Sequence, residues 1–169
     1  MTLINKRVQC QATTKKGNSC SRNTIKYPGL CYQHFQSKHG LKMGKSGIPG
    51  AGTGLFATRP FKNNDAVAKY TGKTTKTPPK NIEYSVSVPS KRYPGRTITA
   101  RTTQDAIGSR VNDCRTQSRL AKHCRKNNAK LAVNTKGRGS ITVRATQRIR
   151  AGDEVFAAYG AAYWSARDD

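Results

Sequence analysis

Two groups of residues in this chain carry side chains able to do chemistry. The first is Cys10-x9-Cys20-x10-Cys31-x2-His34. Three thiolates and an imidazole make a full tetrahedral set for Zn2+, and the stretch CYQH closes one chelate over a tight turn. Basic neighbours lower thiol pKa values and favour the deprotonated ligand form. His39 is the substitute fourth ligand. The second group is aromatic: Phe156, Tyr159, Tyr163 and Trp164 fall within residues 156–164 of a chain otherwise poor in such rings. Phenol and indole rings pair an apolar body with a hydrogen-bonding tip. Why they gather here depends on what accompanies them. Elsewhere, Cys114, His123 and Cys124 offer only three ligands, two of them adjacent, so these cysteines read as ordinary free thiols.

The elements that must position these groups differ in style. Residues 1–40 are polar, cysteine-spaced and nearly without hydrophobic periodicity, so a staple is needed for them to fold. Beyond Gly47 come short segments rich in β-branched or aromatic residues and bounded by Gly, Pro or Asn. They are GLFATR (54–59), AVAKYT (66–71), IEYSVSV (82–88), RTITA (96–100), KLAV (130–133) and SITVRA (140–145), and they read as strands. A helical turn is expected near 104–111, a helix over 115–126 and a loop over 73–81.

The chain has 169 residues, 34% of them hydrophobic, which suits one modest core with a small appendage. No apolar run approaches a membrane span and no signal-peptide pattern opens the chain, so it reads as soluble, intracellular and free of membrane contact. Five cysteines, an odd number, argue against a secreted disulfide scaffold. The charge is the strongest global feature: 32 Lys and Arg against 8 Asp and Glu, formally +24, with no acid before Asp65. Such a field attracts polyanions, nucleic acid first among them. It does not separate an enzyme from a packing protein.

Four ordered motifs join the aromatic cluster. They are KSGIPGAGTGLFA with its Gly52-Thr53-Gly54, Tyr70-Thr71-Gly72, DAIGSRVNDC (105–114) with Asn128-Ala129-Lys130-Leu131 downstream, and SITVRATQRIRAGDEVFAAYGAAYW. In order and spacing they resemble the SET-domain protein lysine methyltransferases over residues 45–165, compact viral members most of all. TKKGNSC (14–20) resembles small Cys/His modules of viral and microbial proteins, a likeness confined to residues 1–40. The resemblance implies a mainly β fold, the β-clip arrangement of several small sheets with short helices. It also implies a knot-like crossing in which the RVNDC segment packs beside EVFAAYG. S-adenosylmethionine and a lysine would enter from opposite faces and meet in a narrow channel.

By the same resemblance Tyr159 takes the catalytic tyrosine position, Tyr163 the position that tunes how many methyl groups are added, and Tyr84 a third channel wall. Phe156 is read as core. Trp164 would cover the adenine. Gly52, Thr53 and Gly54 would approach the cofactor's amino-acid end, where glycine lets the backbone come close. Asn112 offers donor and acceptor in one amide, and Arg110 matches a position often basic. Asp113 stands where the family usually has histidine; it keeps the backbone role toward the adenine and changes that of the side chain. The cysteine-rich tail of many relatives is missing, so either Trp164 closes the site alone or a second subunit, as in a homodimer, helps.

A chain of +24 should prefer a histone or other basic protein presented on DNA to a free tail. KRYPGR (91–96) and residues 119–126 are the candidate phosphate contacts, and Glu83 and Asp105 the acids able to steer a lysine. A nuclear, chromatin or viral nucleic-acid setting follows from that partner. Two other readings stand beside the enzyme: a SET-fold nucleic-acid-binding or packaging protein without turnover, and a recruitment element dominated by the Cys/His module.

Overall fold

A computed structural model describes residues 7–24, 29–75, 84–88, 97–99, 107–114, 124, 126–134 and 140–165. Along the chain come β1 (Val8–Gln9), β2 (Asn23–Thr24), α1 (Tyr32–His39), β3 (Leu41–Lys45), β4 (Thr53–Ala57) and β5 (Ala66–Tyr70). Then follow β6 (Lys73–Thr75), β7 (Ser85–Ser87), β8 (Thr97–Thr99), a 3-10 turn (Ile107–Arg110), β9 (Ala129–Asn134), β10 (Ser140–Ala145) and α2 (Ala161–Ser165). The described strands form four small sheets, ordered β1-β2, β3-β4, β5-β10-β9 and β6-β8-β7. Every described strand pair is antiparallel.

Period-two alternation explains the central sheets. In β10, Ile141, Val143 and Ala145 are buried while Ser140 is exposed; in β3, Leu41 and Met43 are buried and Lys42 between them is exposed. Phe35, Leu41, Leu55, Phe61, Val111, Val143, Ile149 and Val155 are among the fully buried side chains. Each contributes about 1.5–3 kcal/mol of transfer free energy. The core these residues build includes Cys10, Cys20 and Cys31 as well.

The last strand-like segment crosses the middle of the molecule. Val155 N–H donates to the Leu55 carbonyl and Ala57 N–H to that of Asp153, which ties residues 153–155 to β4. On the other side Ala157 N–H donates to Asn112, and both Asn128 and Ala129 donate to Phe156. The Asn128 side chain extends this ladder, accepting from Phe156 N–H at 2.9 Å and donating to the Glu154 carbonyl at 2.8 Å. Residues 153–157 therefore run between β4 and the 112 and 128 segments, which brings RVNDC against EVFAAYG.

Several expectations are corrected. Residues 73–81 were read as loop, yet Lys73–Thr75 pairs with β8 through backbone hydrogen bonds. Among the described residues, the strand expected over 82–88 runs over Ser85–Ser87, and Tyr84 before it adopts φ 58, a left-handed conformation that interrupts extended chain. Helix α1 lies in a segment read as lacking periodicity; one buried residue, Phe35, anchors it, and Gly40 closes it at φ 67. Cys114 and Cys124 are joined by a disulfide rather than free: both are fully buried, with Cα atoms 5.6 Å apart, inside the usual bridging range. The helix expected over 115–126, the KRYPGR segment, Glu83 and Asp105 fall wholly or largely outside the described residues.

Candidate active site

A cavity of about 530 Å³ opens between β4, β5, the 3-10 turn and the C-terminal segment. Gly52 and Thr53 line it from the start of β4, and Arg110, Asn112 and Asp113 from the turn and its exit. Tyr70, Tyr84, Tyr159, Tyr163 and Trp164 supply the aromatic wall. Tyr159 and Tyr163 meet edge-on with ring centroids 4.7 Å apart, and Trp164 lies nearly parallel to Tyr159 at 6.0 Å. The crowding read from the sequence is thus one continuous surface, folded back on itself by the short helix α2.

Tyr159 is held at both ends. Its hydroxyl donates to the Val111 carbonyl at 2.7 Å, and its backbone N–H donates to Asp113 Oδ2 at 2.7 Å. Burial, and then the neighbouring Tyr163, push its phenol pKa above the usual range, so the proton stays on the oxygen. Tyr70 is raised in the same way, first by burial, and its hydroxyl donates to the Tyr84 carbonyl at 2.8 Å. That bond holds the left-handed turn that carries the Tyr84 ring to the cavity rim, where it is 44% exposed.

Asp113 is the hub of this wall. It is 5% exposed, and Oδ2 accepts from the Trp164 indole at 2.9 Å as well as from the Tyr159 amide. Oδ1 accepts from Asn127 Nδ2 at 2.9 Å, and Asn127 Oδ1 in turn accepts from Cys114 N–H at 3.0 Å. A carboxylate does this well because it only accepts, through two oxygens.

A second buried acid lies beneath the opposite end. Glu154 accepts from Ser46 Oγ at 2.7 Å, from Gly47 N–H at 2.8 Å and from Asn112 Nδ2 at 3.2 Å. Its carboxylate fills the space where a Gly54 Cβ would stand. Gly54 is glycine because Glu154 needs that room; unlike Gly52 and Thr53, it lies under the wall rather than on it. Sequence reasoning passed over Glu154 because an acid in AGDEV reads as turn surface. Tyr70 belongs to the Tyr-Thr-Gly motif, and in AVAKY it shares the buried face with Ala68. Phe156 is core, as read.

The thiols of Cys10, Cys20 and Cys31 and a ring nitrogen of His34 all lie within 4.8 Å of one another. His34 Nδ1 is 3.4 Å from Cys10 Sγ and 3.3 Å from Cys31 Sγ. Tetrahedral zinc geometry gives S···N edges of about 3.5 Å, so the set fits the ion. Burial raises the Cys31 thiol, but the His34 backbone and the neighbouring thiols outweigh it and bring its pKa down to about 6. His39 is not part of the cluster; its ring packs on Phe35 at 4.9 Å.

The comparisons agree with this architecture. The methyltransferase domain of human PR domain-containing protein 2 superposes with a TM-score of 0.54 at 17% identity, covering 76% of this chain and 84% of that one. The ATXR5 SET domain, solved in complex with histone H3, gives 0.58 at 16% identity over 76% of this chain and 62% of its own. The polycomb repressive complex 2 of Chaetomium thermophilum gives 0.56 at 19% identity over 71% of this chain and 15% of its own. At these identities the likeness is one of fold. No curated protein sequence matches the chain. The model of the SET domain matches residues 52–160, from the glycine just before β4 to the residue after Tyr159. The chain belongs to the SET-domain family.

Proposed function

We propose that the chain is an S-adenosylmethionine-dependent protein-lysine N-methyltransferase acting on histone or another chromatin-associated basic protein. The observation that carries this reading is the single cavity shared by the Tyr159 phenol and the Gly52-Thr53/Asn112 wall. The donor set suits the cofactor: backbone free of a Cβ at Gly52, an amide at Asn112 and electron-rich rings for a sulfonium. When bound, S-adenosylmethionine supplies an electrophilic methyl carbon to a neutral amine in an in-line displacement.

The residues of the chain do the rest. Tyr70, Tyr84, Tyr159 and Tyr163 exclude water from a lysine stem, and a dry channel lowers the pKa of its amine. Tyr159, kept protonated, and the Val111 carbonyl it holds form a fixed polar pair that orients the incoming nitrogen. Proximity and alignment of this kind account for much of the barrier lowering in displacement reactions. Trp164, stacked on Tyr159, covers the adenine end, and Arg110 and Asp113 frame the same wall. Cys10, Cys20, Cys31 and His34 would hold Zn2+, with residues 45–165 as the catalytic unit and chromatin as its setting.

Charge selects the form of the substrate. Among the described acids, Asp113 and Glu154 are buried, while Asp65 and Asp153 accept from the backbone N–H groups of Lys62 and Arg150 in their own turns. The described surface therefore presents cations with little to balance them, which fits a histone tail lying on DNA. Transfer of labelled methyl groups to nucleosomes is expected to exceed transfer to the free histone peptide. It should drop at least about tenfold between about 50 and about 200 mM salt, as phosphate contacts are lost. Equal turnover on both substrates at low salt would refute the DNA-presented form. Absence of transfer to any basic substrate, together with absent cofactor binding, would leave the non-catalytic nucleic-acid-binding reading in its place.

A further inference from the structure

We infer that metal loading of the Cys10, Cys20, Cys31 and His34 cluster controls the cofactor wall, so that the cluster is a folding switch for the active site and not an independent recruitment module. This rests on the zinc and methyltransferase readings above.

The N-terminal segment has little of its own to hold it. β1 and β2 are two residues each, and the backbone bonds that place the ligands are few: Cys10 N–H to Arg22, Gln11 N–H to Gly29 and Cys20 N–H to Ala12. Ordering each residue costs roughly 1–2 kcal/mol. Strands this short bury too little to offset that without a cross-link. Four ligands converging on one ion supply such a cross-link, because the binding free energy of a structural metal is folding free energy.

The other side of the cluster is the catalytic core. Cys10, Cys20, Leu30, Cys31 and Phe35 belong to one contiguous apolar cluster with Leu41, Leu55, Val111 and Val155. His34 is followed directly by Phe35, which is completely buried. Helix α1 then passes through Gly40, whose carbonyl accepts from Thr58 N–H, into β3. β3 pairs with β4 in the register Lys45↔Thr53 and Gly44↔Gly54. At the end of β3, Ser46 Oγ donates to Glu154, the carboxylate that also holds Asn112. One unbroken path of packing and hydrogen bonds thus leads from the imidazole ligand to Thr53 and Asn112. A free recruitment module would join the core through a linker; here the ligands are part of it.

The test compares the zinc-loaded full chain, the chelator-treated chain, Cys20→Ser and His34→Cys, which keeps four ligands. Zinc content is measured for each. Binding of S-adenosylhomocysteine is followed by calorimetry, and amide exchange is followed at Ala57 and Val155, the bonds that tie β4 to the crossing segment. Loss of zinc is expected to weaken binding at least tenfold and to release both amides, with His34→Cys restoring them. Unchanged affinity and protection in the metal-free chain overturns the inference, as does a folded chain that binds no zinc. If the loaded chain binds no S-adenosylhomocysteine, the methyltransferase reading falls, and the exchange arm alone still decides the coupling.

Discussion

Tyr159→Phe is expected to lower methyl transfer by roughly 10²–10³-fold, the range seen when one preorganised hydrogen-bonding group is taken from a reacting centre. Cofactor affinity should be almost unchanged, because the ring, its packing on Tyr163 and Trp164, and the backbone bond to Asp113 all survive. Stability should fall by about 1 kcal/mol, since the Val111 carbonyl loses its donor. A thermal melt, a binding isotherm and a single-turnover assay separate these effects. The pH profile adds a signature. A free phenol ionises near about 10, but burial raises this one. Wild-type activity should climb as the substrate amine loses its proton and should not fall on the alkaline side through ionisation of Tyr159. Turnover by Tyr159→Phe equal to wild type would remove the hydroxyl from the reaction.

The second large effect is expected at Asp113. In Asp113→Asn the side chain keeps one acceptor oxygen where the carboxylate offered two. If the amide oxygen stays toward Tyr159 and Trp164, its NH2 faces the NH2 of Asn127; if it turns, it faces the Tyr159 amide and the indole. Turning Asn127 instead breaks its bond to Cys114 N–H. Each arrangement leaves a donor without an acceptor, at a cost of about 1–3 kcal/mol. The expected results are a lower melting temperature, weaker cofactor binding and slower transfer. Where the amide turns, the indole of the chain's single tryptophan loses its acceptor and its emission shifts. Wild-type emission and wild-type turnover in a folded Asp113→Asn protein would show that the carboxylate positions nothing.

What the sequence disclosed follows the range of each signal. The strands over 53–57, 66–70 and 140–145 were legible because Leu55 and Ala57, Ala68 and Tyr70, and Ile141, Val143 and Ala145 recur at every second position and are buried, which is a local pattern. The motif order led to the SET family, and with it to an expected crossing that no periodicity contains. Helix α1 was not legible: YQHFQSKH has a single buried side chain, and tertiary contact at Phe35 does the work that an apolar stripe usually does. Glu154 and Gly54 explain each other only across a sequence separation of a hundred residues, so neither could be read alone. The Cys114–Cys124 link was missed because cysteine count speaks to compartment rather than to two particular Cα atoms. The Cys/His cluster was legible from spacing, but spacing could not tell that its thiols sit in the main core.

The left-handed backbone at Tyr84 sets stability against activity at one position. A bulky residue at φ 58 costs on the order of 1–3 kcal/mol. Asparagine, which tolerates that geometry, would relax the turn while stripping a ring from the cavity rim. Selection for heat resistance should therefore drift toward Tyr84→Asn and yield a sturdier, leakier enzyme, and a stabilised version intended to stay active should leave this residue alone.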